Sequence, residues 1–233
     1  MNQEVVLIVF QVVVLVLAFS IHESAHAWTA WRLGDPTAKM LGRVTLNPLK
    51  HLDPFGSVLM PLLALVYHWP LIGWAKPTPV TARNFKNYRR DDILVTLAGP
   101  VSNLLSATVA LLLLVLIKHL VPGGVLAIGT AMALASHIPG IATDNLPALF
   151  PIALFLYFVI LINLLLFVFN LIPIPPLDGS HVLRHFLPYR VLQVYDRFAM
   201  FGMILLFLVG GSFIFGVFFT PLLNTFNHIL FTL

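Results

Sequence analysis

No cysteine occurs among the 233 residues. Disulfides, iron–sulfur clusters and thiolate zinc sites are therefore excluded, and any metal has to be held by His, Asp or Glu. Charge is almost as scarce. Asp, Glu, Lys and Arg make up 9% of the chain, against about 25% in soluble domains. Glutamate occurs only as Glu4 and Glu23. With 59% hydrophobic residues, a soluble fold of this length could not hide its apolar surface, so the composition predicts an all-α polytopic membrane protein. The net charge of +4 does not imply nucleic acid, because the few Lys and Arg lie in loops, where they set topology. No basic region precedes the first apolar run, so no cleavable signal is expected.

Against that background one group of ionisable residues stands out. His22-Glu23-Ser24-Ala25-His26 sits inside the greasy segment that begins at Val5. Helical positions i and i+4 share a face, so the two imidazoles can meet one metal ion, with Glu23 one residue round the turn. This is the H-E-x-x-H pattern of zinc-dependent hydrolysis. The bland alternative is a helix whose two histidines bond to neighbouring groups. Ionisable groups inside a span are costly and are functional suspects by default. A catalytic zinc takes three protein ligands and keeps one position open. Asp178 follows Pro173, Pro175 and Pro176, which cannot continue a helix and present it on irregular chain. An Asp-Gly pair also forms turns by itself, but two helical histidines that lack a third ligand favour Asp178 as that ligand.

Residues 5–33 read as the first span, ending near Trp28, Trp31 and Arg32. Alternation over Met40–Leu46 predicts a short strand or hairpin. Residues 55–69 are apolar but too few to cross with ease, and read as a short span or a re-entrant segment. Residues 93–117, 147–172 and 198–220 read as further spans, and 125–136 as a shorter surface or dipping segment. The expectation is about 4–6 transmembrane helices with a small membrane-associated β-hairpin or re-entrant region after the first. The whole of 1–233 reads as one transmembrane domain, with a core over about 5–180 and a C-terminal span over about 198–220. Asn103, an amide inside a span, reads equally as helix-packing glue and as a substrate contact. His51 and Asp53 read either as lining a water entrance or as a cap beside Pro54. His181 and His185 share i, i+4 spacing without a Glu between them, and read as loop or interfacial residues.

Basic residues gather at 32–54, 76–90 and 184–197, while 1–4 and 121–146 contain none. By the positive-inside rule the basic segments face the cytoplasm of a multi-pass protein in the cell membrane, provided that 55–69 crosses twice or not at all. His22, His26 and Asp178 then share the cytoplasmic half of the bilayer.

Three motifs carry a family resemblance: HESAH at 22–26, AGPVSN at 98–103 and NLIPIPPLDG at 170–179. With LGRVTLNPLKHLDPFG at 41–56 and GWAKPTPV at 73–80, the chain resembles a compact bacterial or archaeal branch of the site-2 proteases, the intramembrane zinc metalloproteases. The motifs stand in the family order, and the likeness runs from the first helix to about residue 185. Pro176-Leu177-Asp178-Gly179 replaces the Asn-Pro-Asp-Gly written in many members, and no insertion has the length of a PDZ domain. The resemblance implies one Zn2+ per chain on His22, His26 and Asp178, with Glu23 as acid/base. It also implies a transmembrane protein substrate met in the lipid bilayer. A peptide bond inside a substrate helix is shielded by its own hydrogen bonds, so the expectation is that an unwound substrate strand is captured by edge pairing, with 40–47 as the edge and Asn103 on the substrate backbone or oxyanion. The competing class is a non-proteolytic zinc-binding membrane protein or metal transporter, which would repeat ionisable groups along a path.

Overall fold

The computed structural model describes residues 3–67, 73–138, 146–205 and 211–233. Among the described residues, three helices are long and apolar enough to cross a membrane: α1 (Gln3–Arg32), α4 (Tyr88–Leu120) and α6 (Phe150–Asn170). Between them lie α2 (Thr37–Met40), α3 (Met60–Tyr67) and α5 (Gly124–Ala135). After α6 come α7 (Asp178–Arg184), α8 (Tyr189–Leu205), α9 (Gly211–Ile214) and α10 (Thr220–Thr232).

The three long helices form the core. Its tightest positions are small or branched: Val14 and Ala18 on α1, Ala107, Ala110 and Leu114 on α4, and Ala153, Leu154 and Leu164 on α6. Small residues let backbones approach where no hydrophobic drive separates helix from lipid. The outer faces stay apolar. Val5, Val9, Val13 and Leu17 run as an exposed i, i+4 stripe along α1, and Leu105, Val109, Leu112 and Leu116 form an exposed stripe of i, i+3 and i, i+4 steps along α4. Such stripes suit hydrocarbon and would be penalised in water. α10 closes the far end, where Lys118 Nζ donates to the carbonyls of Leu230 (3.1 Å) and Phe231 (3.0 Å). A cation at a helix C-terminus is favourably placed.

Two expectations change. Among the described residues there is no strand over 40–47. Met40 ends α2, Gly42 adopts φ +67°, and the only bridge is an isolated one between Leu52 and Ala75. The hairpin fails because the polar atoms of this segment find other partners. Thr45 O accepts from the Ser24 hydroxyl and faces His51 Nε2 at 2.8 Å. Arg43, buried despite its charge, donates to Lys50 O at 2.5 Å. The expected number of spans is also only partly matched. α5 has 12 residues, about 18 Å of helix against about 30 Å of hydrocarbon. The span expected over 198–220 includes 206–210, which lie outside the described residues.

Residues 73–76 lie back beside the start of the 55–69 segment. A π-helical turn, Pro54–Leu59, leads into α3, and residues 68–72 lie outside the described part. On the return, Trp74 N–H donates to Gly56 O (3.3 Å) and Lys76 N–H to His51 O (2.8 Å). Both ends of the excursion are thus stitched together. The C-terminus of α1, the N-terminus of α4 and the C-terminus of α6 share one end of the bundle, where Ala30, Phe85 and Val95 pack together and α7 meets α4. Every Lys and Arg except Lys118 belongs to the segments gathered there.

Candidate metal centre

His22 and His26 leave the same face of α1, about 15 Å and 9 Å along the axis from Arg32 at 1.5 Å per residue. Both are buried. Asp178 reaches them from the other end of the sequence. The prolines after α6 keep the chain out of helix until Asp178 opens α7. Gly179 makes the close return possible, because a Cβ there would lie 2.6 Å from the carbonyl oxygen of Ile172 and closer still to that of Leu171. α7 is tied to α4 by His185 Nε2 and Asp92 Oδ2, 2.6 Å apart, and to α8 by a paired contact of Arg184 with Asp196 at 2.8 and 3.2 Å.

His22, His26 and Asp178 form the one group of three potential ligands found among the described residues. His22 Nε2 and His26 Nε2 are 3.0 Å apart, and Asp178 Oδ2 stands 3.2 and 3.4 Å from them. A tetrahedral zinc with bonds of about 2.0–2.1 Å separates its ligand atoms by roughly 3.3 Å. His26 Nδ1 faces the carbonyl of Val95 at 2.7 Å. A carbonyl only accepts, so this nitrogen carries the hydrogen and the neutral ring turns the lone pair of Nε2 inward. His22 Nδ1 likewise faces Asn103 Oδ1 at 2.5 Å. Asp178 Oδ2 is buried without a well-formed hydrogen bond. Inward lone pairs and a buried carboxylate oxygen repel one another unless a cation sits among them. The donor set fits zinc.

The remaining predicted residues fall into distinct places. Glu23 Oε2 accepts from Thr78 N–H at 2.8 Å, and the Thr78 hydroxyl donates to Glu23 O at 3.0 Å. Pro77 and Pro79 flank Thr78 and carry no N–H, so the 77–79 backbone offers one donor, aimed at the carboxylate. Asn103 is fully buried, with Oδ1 on His22 and Nδ2 donating to Asn163 Oδ1 at 2.8 Å. Asp53 caps the π-helical turn by accepting from Phe55 N–H (3.0 Å) and Gly56 N–H (2.8 Å). His51 is buried, its Nε2 3.3 Å from Ser24 Oγ. His181 is not part of the ligand group, and His185 pairs with Asp92.

Thr78, Val95 and Asn163 were not among the residues singled out from the sequence. Val95 and, toward the Glu23 carboxylate, Thr78 act through backbone atoms, which leave no compositional trace. Asn163 did carry a signal, as a lone amide within the run Phe150–Phe169.

The model of peptidase family M50 matches residues 10–210. The chain is 40% identical over 195 residues to the "Putative zinc metalloprotease YwhC" of Bacillus subtilis (strain 168), covering 84% of this chain and 77% of that protein. It is 30% identical over 198 residues to the "Putative zinc metalloprotease Rip2" of Mycobacterium tuberculosis (strain H37Rv), covering 82% of this chain and 64% of that protein. No solved structure matches the chain.

Proposed function

Because the chain belongs to peptidase family M50, the site-2 proteases, and is a zinc metalloprotease, we propose that it hydrolyses peptide bonds within the transmembrane segments of other membrane proteins. One observation carries the reading: the zinc-like donor set of His22, His26 and Asp178 lies part-way along α1, a helix whose outer face is an apolar stripe. A substrate reaching that depth is itself a membrane segment. Residues 1–233 act as one unit in this reading, a multi-pass protein of the cell membrane. The end that gathers 32–54, 76–90 and 184–197 faces the cytoplasm.

His22, His26 and Asp178 hold one Zn2+, which supplies Lewis acidity toward a carbonyl oxygen and toward water. Glu23 takes a proton from the water that attacks the scissile carbonyl and delivers it to the departing amine. Thr78 N–H holds Oε2 of Glu23, leaving Oε1 for that proton. Val95 O and Asn103 Oδ1 hold the two imidazoles through Nδ1. Both polar ends of the Asn103 amide are engaged inside the protein, which supports an orienting role over a contact with the substrate oxyanion. Asp53 serves the turn at Pro54, and His51 braces Ser24 and Thr45 beside the helix that carries the motif. A transporter would repeat such ligand groups along a path through the bundle, whereas a single three-ligand group is found among the described residues.

The test is cleavage of a single-span membrane substrate by purified protein in detergent, with zinc measured alongside. Glu23→Gln keeps shape and ligands but removes the base. The expected result is full zinc occupancy with cleavage down by at least about 100-fold, the low end of a general-base contribution. A Glu23→Gln protein that cleaves at the normal rate removes Glu23 from the chemistry. Zinc binding without cleavage by either form, over a panel of membrane substrates, removes the intramembrane reading.

A further inference from the structure

Asn163 sits in the apolar interior of α6, 2% exposed, and nothing in the proposed chemistry uses it directly. Its Nδ2 donates to the carbonyl of Val159 at 2.9 Å. A backbone carbonyl cannot donate, so that contact fixes which end of the Asn163 amide is nitrogen. Asn163 Oδ1 is then an acceptor, and Asn103 Nδ2 donates to it at 2.8 Å. The amide of Asn103 is thereby fixed in turn, with its oxygen toward His22 Nδ1 at 2.5 Å. An acceptor there keeps the hydrogen on Nδ1 and leaves Nε2 of His22 with its lone pair. Asn163, Asn103 and His22 are 2%, 0% and 6% exposed, so solvent does not compete for these bonds.

We propose that Asn163 is a positioning residue for the zinc centre: it orients the Asn103 amide and so fixes His22 in the tautomer that presents Nε2 to the metal. With the opposite orientation, Asn103 would turn its NH2 to the ring. His22 would then answer with a bare Nδ1 and a protonated Nε2, which cannot be a ligand. Without Asn163 both orientations of Asn103 become accessible, and part of the zinc-binding energy goes to choosing between them. The inference rests on the reading of His22 as a zinc ligand. The competing role for Asn163 is plain interhelical glue between α4 and α6, common for amides in membranes.

The two roles separate in a double-mutant cycle read by zinc affinity, using competition with a chelator. Asn163→Leu removes the amide at similar volume. Partners of zinc ligands are worth about 10–100-fold in metal affinity. Asn163 is one step removed, so an approximately tenfold loss is expected. Asn163→Asp, in its protonated form, keeps both an acceptor for Asn103 Nδ2 and a donor for Val159 O and should recover most of it. A carboxylate at position 103 presents an oxygen to His22 whichever way it turns, so Asn103→Asp should make Asn163 dispensable. In Asn103→Asp the oxygen facing Asn163 Oδ1 meets another acceptor, so the double variant Asn103→Asp/Asn163→Leu is expected to bind zinc at least as tightly as Asn103→Asp does. Ring 15N shifts of labelled histidine in the zinc-free protein give a second readout, in which His22 loses its single Nδ1–H form in Asn163→Leu. Wild-type zinc affinity in Asn163→Leu overturns the proposal, and so does an undiminished further loss in the Asn103→Asp background. His22→Ala serves as the control for the underlying reading. If it retains wild-type zinc affinity, the ligand assignment itself is wrong, whatever Asn163 does.

Discussion

Replacing Gly99 by alanine should cost the protein its grip on zinc while leaving the zinc-free fold intact. α4 passes the metal site with Gly99 against the two imidazoles. A Cβ added there would lie 2.6 Å from His22 Cε1 and also abut Nε2 and Cε1 of His26. Carbon atoms in contact keep about 3.5–4.0 Å, so the rings must withdraw by roughly 1 Å. Ligand distances tolerate only about 0.2 Å. His26 has little room to comply, because Val95 O holds its Nδ1 at 2.7 Å. In the zinc-free protein the rings can rotate aside, so the strain falls on the loaded state. Overpacking of this kind costs about 1–3 kcal/mol. At about 1.4 kcal/mol per tenfold, that is roughly 5–150-fold weaker zinc binding. Helix propensity works the other way, favouring Ala over Gly by about 1 kcal/mol, so thermal unfolding of the zinc-free protein should not fall by more than a few degrees. Gly129→Ala is the matched control: another helical glycine, exposed, with nothing within 4 Å of the added Cβ. Chelator competition on both variants decides the matter. If Gly99→Ala binds zinc as tightly as Gly129→Ala, the close approach of α4 to the ligands is not what the geometry says it is.

Asp35 makes a second case. It is fully buried and accepts from Thr81 N–H (2.7 Å), Asn84 Nδ2 (2.7 Å) and both the hydroxyl and N–H of Thr37 (2.5 and 3.1 Å). Asp35→Ala should destabilise the protein by about 3 kcal/mol, since it strands several buried donors, read as thermal unfolding in detergent. Burial pushes the Asp35 carboxyl up, but these donors win and hold it below the ordinary aspartate value. Its contribution is therefore complete above the unfolded-state pKa of about 4 and is lost as pH falls through the lower folded value. The wild-type advantage over Asp35→Asn should shrink only in acid, and an advantage that instead grows below pH 4 would refute the account. Asp92→Asn weakens the tie to His185 that anchors α7. It should lower stability by about 1.5–3 kcal/mol and loosen zinc through Asp178, so unchanged melting with unchanged zinc affinity would show the tie to be idle.

What the sequence disclosed follows from the range over which each feature is encoded. The two histidines are four residues apart on one helix, so periodicity alone brings them together. Asp178 was reached through chemistry rather than pattern, because a zinc site lacking cysteine and short of one ligand has few candidates. The strand expected at 40–47 failed because the alternation runs the opposite way round. Alternation normally separates a buried apolar face from a wet polar one. Here Arg43 is buried, whereas Leu41 and Leu46 are 60% and 67% exposed. The apolar members of the pattern face outward, and the polar ones are satisfied inside. The same inversion governs the spans. Val5, Val9, Val13 and Leu17 gave α1 its strength as a span yet point away from the protein, while the inconspicuous Ala18, Ala27 and Ala30 make its packing. In such a chain hydropathy reports which segments enter the membrane and says little about which faces meet. That information lies in small residues and in rare polar ones. Asn163 shows the limit: an amide in a span announces that it has a partner, but that partner, Asn103, stands 60 residues away, and its purpose becomes visible only through the ring of His22 beyond it.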